Sequence, residues 1–431
     1  MSDWREQKLG DLVAVAGGYI RTGPFGSQLH ASDYTEDPDG IPVVMPKSMI
    51  RGTVDPLNIS RVNQTTAERL KQHRLVSGDV VLARRGDVGR FAFISDDEVG
   101  WICGTGSMRV HVPDRSVIQP MFLRYAVSHP SVTDWLAGHA VGATMPNLNA
   151  SIVAGLPLRV PDSLTQRRIA AVLSAFDELI EINERRIALL EDLARSLYQE
   201  WFVHFRFPGH GDVEFVDSEL GPIPEGWEVR RVNDVVTLLS RGISPKYTEK
   251  GRSLVINQRC IRAQRVNTAA ARRNDRPVPA AKEVQFGDVL LNSTGVGTLG
   301  RVAVFLEQSG VSVTADSHVT IVRPRSEREK AWFGLHMLSR QQEFEAMGTG
   351  STGQTELGRQ ALGERVLLLP PERLLDTFSE VAWPVLGAAP ELIRQRNALA
   401  TTRDLLLPRL VTGRLDISDV DLGDLLLADA T

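Results

Sequence analysis

Cysteine is nearly absent: Cys103 and Cys260 are the only two in 431 residues, with no CxxC pair and no Cys/His ligand spacing. That argues against a disulfide framework and a zinc finger, and suits a reducing cytosol. No apolar run approaches the roughly 18 residues a membrane helix needs. Met1-Ser2-Asp3-Trp4-Arg5 opens without the apolar core of a secretion signal, so a cytoplasmic protein with no membrane partner is expected. Signatures of chemistry are missing too. There is no GxxxxGK(S/T), no HExxH, no GxSxG and no (D/N)PP(Y/F) tetrad of the amino-methyltransferases. The nine histidines are scattered, none paired at ligand spacing. Glu6-Gln7-Lys8 has the ExK spacing of some metal-dependent nucleases but lacks an upstream Pro-Asp. Nothing assembles a nucleophile, a base and an oxyanion donor, so the chain is expected to be no catalyst and to hold no catalytic residue, cofactor or metal of its own.

Gly295-Val296-Gly297-Thr298-Leu299-Gly300 spells GxGxxG after the apolar run Val289–Leu291. A dinucleotide site needs a helix to start there, whereas Arg301–Leu306 alternates like a strand. A β-hairpin turn is expected instead.

The net charge of −4 argues against a nucleic-acid partner until its distribution is read. Residues 1–160 are neutral, 161–226 carry −7, 227–371 carry +7 and 372–431 carry −4. Local charge decides whether a phosphate backbone is attracted.

The chain repeats itself. Trp4-Arg5-Glu6-Gln7-Lys8-Leu9-Gly10-Asp11 aligns with Trp227-Glu228-Val229-Arg230-Arg231-Val232-Asn233-Asp234 at an offset of 223. Gly78-Asp79-Val80-Val81-Leu82 aligns with Gly287-Asp288-Val289-Leu290-Leu291 at 209, and the strands from Arg90 and Arg301 follow. Gly142-Ala143-Thr144 matches Gly350-Ser351-Thr352, and Ala194–Trp201 matches Arg403–Leu410. Five matches in one order predict two copies, each a globular part followed by a helical part. Short β-type runs bounded by Gly, Pro and Asp, with a few helices after them, make the globular parts mixed and mostly strand, an α+β class.

From Gln166 to Phe202 there is neither Pro nor Gly. Leu173, Phe176, Ile180, Asn183, Ile187, Leu190, Ala194, Leu197 and Trp201 alternate steps of three and four, a heptad seam on a rod of roughly 55 Å. The second copy keeps Leu392, Leu399 and Leu406 seven apart, with Pro390 read as a helix start and Pro384 as splitting off an earlier segment. Charged outer faces predict that the two helices pack on each other. Residues 206–226 read as a linker rich in breakers, and the tail after Leu415 as acidic and loosely attached. The expected divisions are 1–161, 162–205, 206–226, 227–371, 372–415 and 416–431.

Basic and amide-bearing loops are the positive signal. Arg84-Arg85-Gly86-Asp87-Val88-Gly89-Arg90 joins two strands, and Arg259, Arg262, Arg265, Arg272, Arg273 and Arg276 crowd eighteen residues. Asn257-Gln258-Arg259 and Asn292-Ser293-Thr294 carry groups able to bond base edges, Arg to guanine and Asn or Gln to adenine.

These residues make the chain resemble the specificity subunit of type I restriction–modification enzymes. Further matches are Thr22-Gly23-Pro24-Phe25-Gly26-Ser27-Gln28-Leu29, Gly142–Asn149, Gln166–Leu173, Glu200–His210, Pro222–Trp227 and Arg403–Gly413. The resemblance implies two target-recognition domains, each reading half of a split DNA site, joined by two helices as an antiparallel coiled coil with pseudo-two-fold symmetry. It implies two modification subunits, which would supply S-adenosylmethionine chemistry at adenine N6, and restriction subunits, which would supply ATP- and Mg-dependent cleavage. The candidate DNA contacts are Arg21, Ser27, Gln28, Lys47, Arg84, Arg85, Arg90, Thr144 and Asn147 in the first copy. In the second they are Lys246, Asn257, Arg259, Arg262, Asn292, Thr294, Arg301 and Gln354. Three other readings stay open: a self-sufficient methyltransferase or nuclease, a coiled-coil adaptor that never touches bases, and a methylation-only variant system.

Overall fold

The apolar, β-branched run Val80-Val81-Leu82-Ala83 is buried along its whole length, as is Val289-Leu290-Leu291-Asn292, and each forms one of the two interior strands of a four-stranded sheet. Those two strands organise the chain. The computed structural model describes residues 4–142, 145–307, 310–348, 356–418, 420, 422 and 423. They form two compact units, one up to Glu181 together with the residues from Asn397 on, the other Ile182–Arg396.

In the first unit the strands are β1 (Tyr19–Thr22), β2 (Tyr34–Thr35), β3 (Ile41–Val44), β4 (Ser60–Val62), β5 (Val80–Ala83), β6 (Phe91–Phe93), β7 (Ile102–Cys103) and β8 (Ser107–His111). An antiparallel sheet runs β1-β8-β5-β6, and a smaller one runs β7-β3-β4-β2, with β7 parallel to β3. The Arg5–Lys8 strand pairs antiparallel with Pro157–Val160.

In the second unit the strands are β9 (Val236–Arg241), β10 (Ser253–Ile256), β11 (Arg272–Asn274), β12 (Val289–Asn292), β13 (Val302–Val304), β14 (Val313–Ala315) and β15 (Val319–Pro324). The larger sheet runs β9-β15-β12-β13 and is antiparallel; the smaller runs β11-β10-β14, with β14 parallel to β10. Glu228–Arg231 pairs antiparallel with Val366–Leu369. The GxGxxG turn joins antiparallel β12 and β13, so it is a hairpin.

Each unit buries an aspartate at the start of its interior strand. Asp79 accepts the Val76 N–H at 3.0 Å and faces Arg109 and His111, whose Nδ1 lies 2.8 Å away. Asp288 accepts the Gln285 N–H at 2.8 Å and is clasped by Arg323 at 2.8 and 2.9 Å. Burial raises the Asp79 carboxyl above the usual carboxylate range and lowers the Arg109 guanidinium to about 10.

Two long helices follow the lobes, α1 (Ser163–Tyr198), ending in a π turn over Gln199–Val203, and α2 (Glu372–Val411). They do not stand as separate regions, because their faces complete the two cores. Ile169 and Leu173 join Leu410 and Val411 in the first core. Ala194, Tyr198, Trp201 and Phe202 join Leu375, Phe378, Ala382 and Leu386 in the second. Of the expected seam, Leu173, Asn183, Ile187, Ala194 and Trp201 are buried; Phe176, Ile180, Leu190, Leu197, Leu392, Leu399 and Leu406 are half-buried. In the first unit Arg403 reaches Asp177 at 2.6 Å, and Asp177 also accepts the Tyr125 hydroxyl. In the second, Arg396 lies 3.8 Å from Glu184.

Three expectations are corrected. Pro384 neither splits α2 nor does Pro390 start it; the helix runs unbroken through both. An interior proline costs ~3 kcal/mol, offset where the same turns bury Phe378, Ala382, Leu386 and Ala389. Residues 206–226 are no bare linker: Phe207, Ile223 and Trp227 are buried, Phe205 packs edge-on to Trp227 at 5.2 Å, and Phe215–Val216 pairs with Ile223–Pro224. The acidic tail begins anchored, with Ile417 in the first core and Arg168 donating to the Ser418 carbonyl.

Candidate nucleic-acid interface

In both units the strand that leads into the candidate loops is followed directly by a glycine pressed on a carbonyl. A Cβ at Gly23 would lie 2.1 Å from the Gly104 carbonyl oxygen, and one at Gly242 would lie 1.9 Å from that of Ala315. Only glycine allows that approach, and it draws the loop after β1 or β9 against the end of the parallel strand of the smaller sheet.

In the first unit the loops meet at Arg84. Its peptide N–H donates to Gly106 at 2.8 Å, its carbonyl accepts from Leu148 at 2.8 Å, and its guanidinium sits 5.4 Å over the Phe25 ring. Arg84 is only 8% exposed, whereas Phe25 is 53% exposed. Burial and the neighbouring Arg85 charge lower the Arg84 guanidinium below its usual range. Arg84, expected to meet phosphate or guanine, is therefore a loop-shaping residue, because packing on Phe25 and two crossing backbones encloses it. Its Nε and the Oδ1 of Asn147 are buried without a partner.

Around it stand exposed groups. Arg85 leaves a backbone bridge to Asn147, and Gly86 N–H donates to Pro146. Arg90 pairs with Asp87 at 2.9 Å and reaches the Pro46 carbonyl at 3.5 Å, next to exposed Lys47. Gln28 turns its Oε1 back to accept the Phe25 N–H at 3.2 Å, beside exposed Ser27. Arg21 lies apart from these, donating to the Gln72 carbonyl at 3.3 Å and stacking 4.6 Å over Tyr19. Thr144 is outside the described residues.

In the second unit the hub is a chain of hydrogen bonds. Asn292, fully buried, donates to the Gln258 carbonyl at 3.1 Å; Gln258 donates to the Thr294 carbonyl and hydroxyl at 3.0 Å; Thr294 Oγ1 lies 2.8 Å from His318 Nδ1. Arg241 ties in the far side through the Ser317 carbonyl at 3.0 Å and Glu356 at 2.6 Å. Asn292 and Thr294 thus hold loops together, and burial removes Asn292 from any base edge, against the expectation that it reads one. Asn257 accepts the Arg259 N–H at 2.9 Å and so shapes the turn that presents Arg259. Arg259, Arg262 and Lys246 are exposed; Arg301 is half-buried and donates to the Gly297 carbonyl at 2.8 Å. Gln354 is outside the described residues.

Sequence reasoning missed Phe25, Arg241 and His318 as parts of these hubs. The signal for Arg241 was only partial, since Arg241-Gly242 matches Arg21-Thr22-Gly23 with the arginine one place nearer the glycine. Phe25 and His318 carry none, because their roles come from which loops fold beside them. The exposed guanidiniums and ammoniums on both loop sets can bond phosphate oxygens or base edges. Among the described residues, no helix is long and apolar enough to cross a membrane.

Comparison with known proteins places these loops in context. Residues 1–192 match the family described as Type I restriction modification DNA specificity domain. The Type I restriction enzyme MjaIX specificity subunit of Methanocaldococcus jannaschii is 23% identical over 434 residues, which cover 97% of this chain and 95% of that one. The Type I restriction enzyme HindI specificity subunit of Haemophilus influenzae is 26% identical over 215 residues, 48% of this chain and 42% of its own length. In fold, the chain is similar to the S subunit of the Type-I restriction-modification system from M. genitalium, with a TM-score of 0.66 at 14% identity, covering 95% of this chain and 96% of that one. Residues 1–192 thus match the model of the type I restriction–modification DNA specificity domain, and the chain along its length is similar to type I specificity subunits.

Proposed function

We propose that this chain is the DNA specificity subunit of a type I restriction–modification complex, in which each lobe reads one half of a bipartite site and the subunit itself performs no chemistry. The observation that carries the reading is recurrence. Strand order β1-β8-β5-β6 returns as β9-β15-β12-β13, and in both places the loop after the parallel-paired strand of the smaller sheet, β3 or β10, carries exposed cations, Lys47 and Arg51 in one and Arg259 and Arg262 in the other. Two lobes of one topology are what two half-sites require. Exposed Arg85, Arg90, Lys47, Arg259, Arg262 and Lys246 would contact phosphates or guanines, while Arg84, Asn292 and Thr294 hold the loops in place.

In this reading α1 and α2 form an antiparallel coiled coil between the two lobes. The ion pairs Asp177–Arg403 and Glu184–Arg396 support it, because seven residues forward on one helix match seven backward on the other. A stiff spacer of fixed length then sets the distance between half-sites, about one helical turn of DNA centre to centre. Two modification subunits dock on this chain and methylate adenine N6, and restriction subunits join through them; S-adenosylmethionine, ATP and Mg belong to those partners.

The experiment is to express the chain with its modification partner and map the methylated adenines. A split motif with an unread spacer is the expected result. Exchanging residues 227–371 for the corresponding lobe of a relative should change one half-site only. An unchanged motif after the exchange would make the chain an adaptor, and methyl transfer by the isolated chain would make it an enzyme.

A further inference from the structure

The positive charge of the second lobe is concentrated. Residues 246–276 hold nine Lys and Arg against two acids, a net +7, as large as the net charge of residues 227–371 as a whole. The equivalent stretch of the first lobe, residues 33–63, holds three against five, a net −2. The equivalence is topological. β10 pairs antiparallel with β11 and parallel with β14, as β3 does with β4 and β7, and Tyr247 bridges Asn274 where Tyr34 pairs with Val62.

Part of this charge is built into one edge. Arg265 is spent on Glu191 of α1, at 2.6 Å. Lys246, Lys250, Arg252, Arg272, Arg273 and Arg276 are exposed, and they lie on the edge strand β11 and the segments that flank it. A single buried side chain fixes these segments. Asn274 Oδ1 accepts the Lys246 N–H at 2.8 Å and the Arg276 N–H at 3.2 Å, while its Nδ2 donates to Ser253 at 3.0 Å and to the Arg276 carbonyl at 2.6 Å. Arg273 donates to the Gly251 carbonyl at 3.1 Å, and the Arg272 guanidinium is held 3.8 Å over the Tyr247 ring. Two cations are thus pre-positioned, so ordering them on a ligand loses little rotamer entropy.

We propose that this edge is a sequence-independent anchor for the DNA phosphate backbone, working beside the base-reading loops of the same lobe. The inference rests on the reading of the chain as a DNA specificity subunit. Successive residues of a strand leave opposite faces, so Arg272 and Arg273 spread the positive potential around the edge. That suits an extended polyanion and not one small anion, which needs convergent donors. Such contacts hold register on the duplex and carry no sequence information. The first lobe, negative at the same place, lacks this anchor, and the two half-sites are held with unequal salt sensitivity.

The test uses the full chain assembled with its modification partner and carrying R272Q, R273Q and R276Q together. Binding is measured from low to high salt on a duplex with the methylated motif and on a scrambled one. The expected result is a loss of affinity by the same factor on both duplexes, an unchanged methylated motif, and a log–log salt slope flatter by about 2 to 3, at roughly 0.9 per phosphate contact. The pair K250Q and R252Q, at exposed positions outside β11, should flatten it by roughly a further 1 to 2. A normal slope with intact binding overturns the anchor. A loss confined to the motif duplex would make the edge a base reader, and failed assembly with normal DNA binding of the assembled fraction would make it a protein-docking surface; either overturns the proposal. If the unmodified complex prefers neither duplex and methylates no split motif, the specificity reading itself falls, and the anchor with it.

Discussion

Acid should destabilise the second lobe through one buried histidine. His336 is 8% exposed, stacked on Trp332 with ring centroids 5.8 Å apart, and its Nδ1 lies 2.9 Å from the Tyr198 hydroxyl. Arg340 Nη1 approaches Nε2 at 3.4 Å. A guanidinium can only donate, so Nε2 is the acceptor and the ring is neutral, with its proton on Nδ1 toward Tyr198. A second proton would go on Nε2, facing a positive charge inside the core. Burial first, and Arg340 second, push His336 down to about 3. The unfolded chain binds that proton near pH 6.5. Stability is therefore fully present above pH 6.5 and declines as pH falls toward the folded value, by about 2 kcal/mol at pH 5. The assay is urea unfolding of wild type and H336Q at pH 7.5 and pH 5, followed by tryptophan fluorescence. H336Q should start less stable at pH 7.5 and lose about 2 kcal/mol less on acidification. His73 and His129, also lowered by burial, contribute equally to both proteins and cancel. An identical acid loss in the two proteins would refute the argument.

Arg323→Leu strands the buried Asp288 carboxylate and should lower stability by about 3–5 kcal/mol in urea unfolding, with part recovered by the double variant R323L/D288N. Asp177→Asn weakens the half-buried site that joins Tyr125, Arg124 and Arg403; a loss of about 1–3 kcal/mol is expected by calorimetry, and none if those contacts are incidental. Charge reversal at Arg259 and Arg262 should weaken DNA binding and flatten its salt dependence, and unaltered affinity and slope in a salt titration would remove both from the interface.

Strands and the first long helix were legible because their signals are local. Val80–Ala83 and Val289–Leu291 are apolar runs behind a Gly-Asp turn, and the three-four spacing from Leu173 to Trp201 needs no partner to be seen. The second helix was half-legible. Its buried face runs through Leu375, Phe378, Ala382, Leu386 and Ala389, in steps of three and four, but two of those residues are small and Pro384 and Pro390 interrupt the reading. A proline breaks a helix by default, and only burial supplied by the rest of the lobe reverses that outcome. The loops were legible as loops and not as roles. Arg84 and Arg85 are adjacent and chemically alike, yet one is enclosed by Phe25 and two crossing backbones while the other is exposed. That distinction lies in contacts with Phe25, Gly106 and Leu148, 22 to 64 residues away along the chain, which no local spacing encodes.

What the two lobes share and where they differ follow one physical division. The shared features are buried and interlocked: the aspartate at the head of the interior strand, the glycine pressed on a carbonyl, the order of both sheets. Changing any of them leaves a charge unpaired or a backbone without room, at a cost that threatens the lobe. The differences are exposed. A stretch of net −2 in one lobe stands against net +7 in the other on the same small-sheet framework, through side chains most of which are exposed. Exposed substitutions of that kind shift stability by about 0.5 kcal/mol or less, so a lobe can change its surface charge without first relearning how to fold. On the proposed function, recognition would be set by loop and edge residues whose identities the core leaves free, which would let the two lobes of one chain read unrelated half-sites.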